Sequence, residues 1–279
     1  MAKLTRRQFL KRALVAGVGL AALDAFIEPE WIATRRVVAR VRGLGEGLAG
    51  YRIGLLSDIH YPRNISSGYV QRACRTLVRA GIDAAIVPGD LVDGKSITRV
   101  PSFKGLYDAL GEAKGGAYTV LGNHDHWLDA DGTRTELASS TPLRLIENEH
   151  VLIERDGAVL ALGGVGDLWE GTVDVTKAFR GVDPGVPRIL LSHNPDFAED
   201  CRDDVRIDLQ ISGHTHGGEV AMPWGWAPHI PSKYGNKFRY GFSQGLSHRC
   251  FTTAGICSPR HVRLFCRPEV VVIELQPVR

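Results

Sequence analysis

Apolar runs of strand length recur along the chain, and most of them end abruptly on polar residues. They read "YRIGLL" (51–56), "AAIV" (84–87), "AYTVL" (117–121), "VLIE" and "VLALGG" (within 151–164), "RILL" (188–191), "IDLQI" (207–211), "RCFTTA" (249–254) and "VVVIEL" (270–275). Such short runs, rich in β-branched and aliphatic residues and bounded by Gly, Pro or Asp, predict buried strands. Between the first two, "YVQRACRTLVRAG" sets Val70, Cys74, Leu77 and Val78 at i, i+4, i+7 and i+8, with Gly81 as the stop. That is one apolar helical stripe. A second helix is expected over roughly 103–113, and "RRVVARVR" (35–42) reads as an edge strand with a solvated face.

Strands alternating with helices predict an α/β architecture with substantial parallel pairing. The later strands crowd together without long helices between them, so a second, mixed sheet packed on the first is expected. Segment 222–248, rich in Gly, Pro and aromatic residues, reads as a long loop excursion. No repeat or linker divides residues 50–279.

The chain has 279 residues, 44% hydrophobic and 23% charged, enough for one large domain or two small ones. Its formal net charge of +3 is unevenly spread: residues 1–42 hold nine Lys/Arg against three Asp/Glu, leaving 25 basic and 28 acidic residues in the rest. The body is therefore mildly acidic, and no nucleic-acid partner is expected.

The basic start is specific. Thr5-Arg6-Arg7-Gln8-Phe9-Leu10-Lys11 resembles the twin-arginine export motif, and "ALVAGVGLAAL" supplies the apolar segment that follows it. That segment is shorter than the roughly 20 residues of a spanning helix. The expected organisation is a signal or anchor over 1–30 and a catalytic domain over 31–279. Export would involve the twin-arginine translocase and deliver the protein to the periplasm or the outer face of the cytoplasmic membrane. An uncleaved segment, with Trp31 and the arginines at 35, 36, 40 and 42, would add peripheral membrane association.

Five cysteines (74, 201, 250, 257, 266) form no CxxC pair, which removes a zinc ribbon. Cys74 falls on the apolar face of the predicted helix. A disulfide among Cys250, Cys257 and Cys266 stays open in an oxidising compartment.

Candidate chemistry sits at the strand ends: "LSDIH" (56–60), "VPGD" (87–90), "GNHD" (122–125), "LLSHNPD" (190–196) and "ISGHTH" (211–216). Side chains from separate strands converge there in open α/β sheets. Asp58 and His60 are two apart, so an extended backbone turns both to one side, and His214 and His216 repeat that spacing. Asp90, Asn123 and His193 arrive singly. Seven N/O donors without a thiolate exceed a catalytic zinc site's usual three protein ligands. They suit two ions that share a carboxylate and serve an in-line displacement at phosphorus. The absence of an H-x-H-x-D-H run excludes a metallo-β-lactamase-like hydrolase.

In this order the five blocks resemble the signature of the calcineurin-like metallophosphoesterases, over about residues 50–276. The resemblance implies a four-layer αββα sandwich, two mixed β-sheets flanked by helices. It assigns Asp58, His60 and His216 to one metal, Asn123, His193 and His214 to a second, and Asp90 to both. His124 would stabilise the transition state or protonate the leaving oxygen, with Asp125 orienting its ring and a metal-bound hydroxide as nucleophile. The cofactors would be two divalent ions, Mn²⁺ or Fe/Mn foremost, with Zn²⁺ and Mg²⁺ open.

"GVGDLWEG" (164–171), "GHTHGGEV" (213–220) and "RPEV" (267–270) resemble a branch of small twin-arginine-exported bacterial phosphodiesterases. Related enzymes in that branch are UDP-2,3-diacylglucosamine pyrophosphatases of lipid A biosynthesis. The expected function is hydrolysis of a phosphodiester or pyrophosphate bond in a small-molecule or lipid-linked phosphoester. Rivals are the lipid A pyrophosphatase itself and a non-catalytic, metal-stabilised envelope protein. Asp93 reads as a loop cap or an outer partner and is not assigned; His126 and Trp127 read as solvated loop. Arg63, Lys95 and Arg260 are anion clamps by sequence proximity alone, and Asp167 and Trp169 read equally as pocket wall or packing.

Overall fold

A computed structural model describes residues 5–201 and 205–278. Among the described residues twelve strands form two six-stranded sheets. The first holds β1 (Ala33–Val41), β2 (Arg52–Leu55), β3 (Ala84–Pro88), β4 (Ala117–Val120), β5 (Leu143–Leu145) and β12 (Glu269–Pro277), in the order β1-β12-β2-β3-β4-β5. Strands β2 to β5 run parallel, whereas β12 lies antiparallel to β2 and parallel to β1. The second sheet holds β6 (Glu149–Arg155), β7 (Ala158–Gly164), β8 (Arg188–Leu191), β9 (Leu209–Ser212), β10 (Gly241–Gln244) and β11 (Arg249–Thr252). Its order is β10-β11-β9-β8-β7-β6, with antiparallel pairs at both edges.

The two-residue period of each strand explains the layers. Ile86 of β3, Leu160 and Leu162 of β7, and Ile189 and Leu191 of β8 point inward and form the core between the sheets. Their alternating neighbours point outward. Ala85 and Val87 meet Val70, Cys74 and Leu77 of α2 (Ser67–Arg79) on the outer face of the first sheet. Ala161 and Leu190 meet the short helices α4 (Val175–Ala178) and α5 (Phe197–Asp200) on the second. Two mixed sheets flanked by helices, as expected, are the architecture. The "RRVVARVR" segment is the edge strand β1.

Several local expectations change. Residues 103–113 form no α-helix; turns lead to a 3-10 segment at Asp108–Glu112, because Gly105 takes a φ of +80° that stops helical propagation. A helix not expected from the sequence, α3 (Asn123–Ser140), starts inside the "GNHD" block and carries His126 and Trp127, which are not in a loop. It breaks at Asp129 (φ −174°, ψ 96°), whose carboxylate caps the second half by accepting from Gly132 N at 2.9 Å. The 222–248 excursion contains β10 and a 3-10 turn at Gly235–Phe238. All five cysteines are free and buried, so no disulfide joins Cys250, Cys257 and Cys266.

The basic N-terminal stretch forms α1 (Arg6–Ile27), entered through a capping box between Thr5 and Gln8. No described helix is long and apolar enough to cross a membrane.

Candidate metal centre

Strands β2, β3 and β4 are neighbours in one sheet, and β8 and β9 are neighbours in the other. Their carboxyl ends open on the same edge of the sandwich, so the loops that follow meet across the seam. Those loops are tightly wound. Asp58, His60, Asp90, His214 and His216 all take left-handed backbone angles, with φ of 53°, 47°, 53°, 69° and 51°. Five non-glycine residues in this sparsely allowed region, at about 1–3 kcal/mol each, persist only where the surroundings over-determine them. Here the Asp90 carbonyl does so, accepting from both Ile59 N (2.8 Å) and His60 N (3.0 Å). Gly213 lets the β9 loop pass β2: a Cβ there would run into Ser57 Oγ and Asp58 Oδ2.

All seven donors predicted from the sequence come together. His60 Nε2 lies 3.1 Å from His216 Nε2 and 3.4 Å from Asp90 Oδ2, and His216 Nε2 lies 3.7 Å from Asp58 Oδ1. One donor atom from each of Asp58, His60, Asp90 and His216 falls within 4.8 Å of the others. On the far side of Asp90, His193 Nε2 is 3.2 Å from the same Oδ2. His214 Nδ1 joins that half, 3.2 Å from His193 Nε2 and 3.0 Å from Asn123 Oδ1. Asp90 thus stands between two groups of ligating atoms.

The inner atoms are all electron-pair donors. His193 gives its Nδ1 hydrogen to the Pro88 carbonyl at 2.7 Å, and His216 Nδ1 faces the Cys257 carbonyl at 3.3 Å. Fixing that hydrogen outward aims the Nε2 lone pair inward. Lone pairs about 3 Å apart repel unless a proton or cation sits between them. Asp58 Oδ2 is buried with no hydrogen-bond partner, which costs free energy unless a cation compensates. The donor set of carboxylate, imidazole and amide oxygen fits hard to borderline divalent ions.

With the charges of the protein alone, the proton on His193 is what relieves that repulsion. Burial works against ionising Asp90, but His193 and His60 beside it hold its carboxyl well below the usual carboxylate range. Burial likewise lowers His193, yet the Asp90 carboxylate overrides it and pushes the imidazole up to about 10. His60 and His214 are lowered by burial.

His124 borders the cluster and, with His60 and Asp93, forms a second group whose donor atoms lie within 4.8 Å of one another. Its backbone N donates to Asp90 Oδ1 at 2.9 Å, and its ring packs edge-on against His60 at 4.4 Å between centroids. Its Nδ1 lies 3.3 Å from Asp93 Oδ1. Asp93, left unassigned from sequence, is therefore the carboxylate on the His124 ring, and Asp125 is not. Asp125 spends its oxygens on three backbone N–H groups: Leu91 at 2.9 Å, Val92 at 3.0 Å and Gly122 at 2.8 Å. It ties the β3 loop to the start of α3.

A cavity of about 380 Å³ opens over these residues, and Arg63, Lys95, Trp127, Trp169 and Arg260 form part of its wall. Trp127 packs on His124 (4.7 Å) and Trp169 on His214 (4.5 Å), while Lys95 Nζ lies 4.2 Å above the Trp127 ring. Asp167 positions Trp169 by accepting from its backbone N at 2.9 Å. Glu219, inside the "GHTHGGEV" block, and His229, in the 222–248 excursion, are wall residues to which the sequence assigned no role.

The model of the calcineurin-like phosphoesterase family matches residues 51–218, well over half of the chain. The chain belongs to that family. Among relatives of this phosphoesterase, "Phosphodiesterase YaeI" of Escherichia coli is 28% identical over 98% of this chain and 99% of its own. "Uncharacterized metallophosphoesterase YkuE" of Bacillus subtilis is 26% identical over 99% of both chains. "UDP-2,3-diacylglucosamine pyrophosphatase LpxG" of Chlamydia muridarum is 23% identical, covering 88% of this chain and 90% of that one. Family and relatives together make this protein a metal-dependent hydrolase.

Proposed function

We propose that this phosphoesterase hydrolyses a phosphodiester or pyrophosphate bond at a two-ion centre. The observation that carries the reading is Asp90, whose Oδ2 stands within 3.4 Å of His60 Nε2 and 3.2 Å of His193 Nε2, between two sets of donors. In this assignment Asp58, His60 and His216 would hold one ion, Asn123, His193 and His214 would hold the other, and Asp90 would serve both. When bound, two divalent cations lower the pKa of attacking water and neutralise charge on the phosphoryl oxygens.

The chain's own residues do the rest. His124, partly open to the cavity, presents the ring nitrogen that does not face Asp93 to the leaving oxygen and, as the imidazolium, gives it a proton; burial lowers its pKa, and the Asp90 and Asp93 carboxylates work against that by favouring the charged ring. Asp93 faces Nδ1 at ion-pair distance, where it favours the charged ring, and is itself held by Lys95 N (3.1 Å), Ser96 Oγ (2.6 Å) and Arg63 Nη1 (3.0 Å). Arg63, Lys95 and Arg260 bring positive charge to the cavity wall, which suits an anionic diester or a second phosphate. Trp127 and Trp169 narrow the mouth and limit water.

The ions assigned are Mn²⁺ or an Fe/Mn pair. A twin-arginine route, read from Thr5 to Lys11, would load them in the cytoplasm before export to the periplasm or the outer face of the cytoplasmic membrane. Elemental analysis of protein from its native host, coupled to a panel of p-nitrophenyl phosphate, bis-p-nitrophenyl phosphate and a UDP-linked lipid, tests the reading. Two ions per chain with diester or pyrophosphate turnover is expected; one ion, zinc alone after folding in a manganese-replete cytoplasm, or monoester turnover only, counts against it. The relative named as a UDP-2,3-diacylglucosamine pyrophosphatase supports a narrower alternative, cleavage of a nucleotide-linked lipid, and a preference of several hundredfold for the UDP-lipid would select it.

A further inference from the structure

Glu219 and Gly218 line the cavity, and the chain that leaves them runs outward as Val220, Met222, Trp224 and Trp226. These side chains are not packed away. Trp224 is 75% exposed, Trp226 47% and Met222 37%. The turn that presents them is ordered by its own hydrogen bonds: Met222 N to Trp226 O at 2.7 Å, Gly225 N to Met222 O at 2.8 Å, and the Asn236 side chain on both Ala227 N (2.8 Å) and Ala227 O (2.9 Å). A backbone ladder joins it to further apolar surface. Ala221 N donates to Leu264 O and Leu264 N to Glu219 O, both at 2.9 Å, which sets Phe265 (54% exposed) beside the loop. Glu28 accepts from Phe265 N at 2.9 Å, and Ala25 O accepts from Arg263 N at 2.9 Å, so the end of α1, with exposed Phe26 and Ile27, continues the same face.

Charge on the loop segments of this face is basic, with Asp24, Glu30 and Glu219 as the acids at its α1 and cavity borders. Residues 220–268 carry seven Lys or Arg and no Asp or Glu, although the body as a whole is mildly acidic. Arg263 is buried, and Lys233 and Lys237 pair with Asp200 and Glu199. Arg260 and Arg267 remain exposed, Arg267 over the ring of exposed Trp31 at 4.0 Å, and Arg239 borders the turn at Gly225. Indoles at the tip of a rigid turn, backed by arginines, match a bilayer interface. There the ring sits at headgroup depth and the guanidinium meets lipid phosphate.

We propose that the 220–226 turn, with Phe265 and the end of α1, docks on an anionic lipid surface and sets the mouth of the cavity against it. This rests on the cavity being the active site, and it makes the natural substrate a phosphoester reached from the membrane plane.

The test uses the full chain and vesicles of phosphatidylglycerol or of phosphatidylcholine, with bis-p-nitrophenyl phosphate turnover in solution as the second readout. Wild-type protein should bind phosphatidylglycerol more tightly, and brominated lipid should quench its tryptophan emission. Trp224→Ala combined with Met222→Ser should lower the partition constant about tenfold or more while leaving soluble turnover unchanged. Undiminished binding of that variant overturns the proposal. So does loss of binding only on Arg6, Arg7, Lys11 and Arg12→Gln, or a wild-type dimer that Trp224→Ala dissociates without any effect of lipid. Vesicle binding by a wild-type protein that hydrolyses no phosphodiester would leave the docking surface standing and remove the proposed function instead.

Discussion

His124 Nδ1 lies 3.3 Å from Asp93 Oδ1, while the carboxylate of its own neighbour in sequence, Asp125, turns away to three backbone N–H groups. The two acids therefore do different work. Asp93 acts through the ring that faces the cavity; Asp125 acts through the loop that carries Asp90. Asp93→Asn should lower kcat about 10- to 100-fold with little change in KM, since it removes a charge that favours the protonated His124 ring without moving that ring. Asp125→Ala should instead cost roughly 3 kcal/mol of stability by stranding buried donors. Steady-state kinetics and urea unfolding on both variants separate the roles; equal losses of kcat at unchanged stability would contradict the assignment.

His124 itself touches the cluster only through its ring edge and its backbone N–H to Asp90. His124→Ala keeps that N–H. Two ions per chain should remain by elemental analysis, and turnover should fall by about 10²- to 10³-fold. The loss should shrink for a substrate whose leaving group needs no proton, such as a p-nitrophenyl ester compared with an alkyl ester. Unchanged turnover would remove His124 from the mechanism.

Why was so much of this site legible before the structure? Each donor follows a strand short enough and apolar enough to be recognised, and parallel neighbours bring their ends to one edge. What escaped notice was set by interactions local periodicity does not encode. Helix α3 opens on Gly122, which offers no capping side chain of its own, and its polar first half breaks at Asp129, so no apolar stripe announces it. The resemblance gave Asp125 the task of orienting His124; at the third helical position of α3 its carboxylate instead folds back onto Gly122 N. Asp93 became its replacement through a loop whose course depends on Arg63, Lys95 and Ser96. The 103–113 segment misled in the other direction, because its apolar spacing is helical but Gly105 is not.

Gly213 tests the close approach of the two sheets. A methyl group there would meet Ser57 Oγ and Asp58 Oδ2 at less than contact distance, and Asp58 also accepts from His214 N at 2.8 Å. Gly213→Ala should destabilise the fold by roughly 2 kcal/mol and lower ion occupancy, because relief requires β9's loop to withdraw from Asp58. Thermal melts with and without added Mn²⁺ would read both effects. A wild-type melting temperature and full occupancy would mean the seam is looser than its geometry.

Burial of His248 should make the stability of the fold depend on pH. The ring is buried between β11 and Phe197, with Nε2 on Gln210 Oε1 at 2.7 Å, and burial pushes its pKa down to about 4 from an ordinary 6.5. Below pH 6.5 the unfolded chain takes up a proton that the folded chain refuses, so the stability present above that pH drains away until about pH 4 is reached. By linkage the loss attributable to this ring is on the order of 3 kcal/mol over that window. Other groups titrate across the same range, so the informative measurement is a difference: urea midpoints of wild type and His248→Gln between pH 7 and pH 4.5. The variant keeps an N–H for Gln210 and loses the titration, and its stability should fall with a shallower slope; parallel slopes would show that His248 accepts its proton in the folded protein.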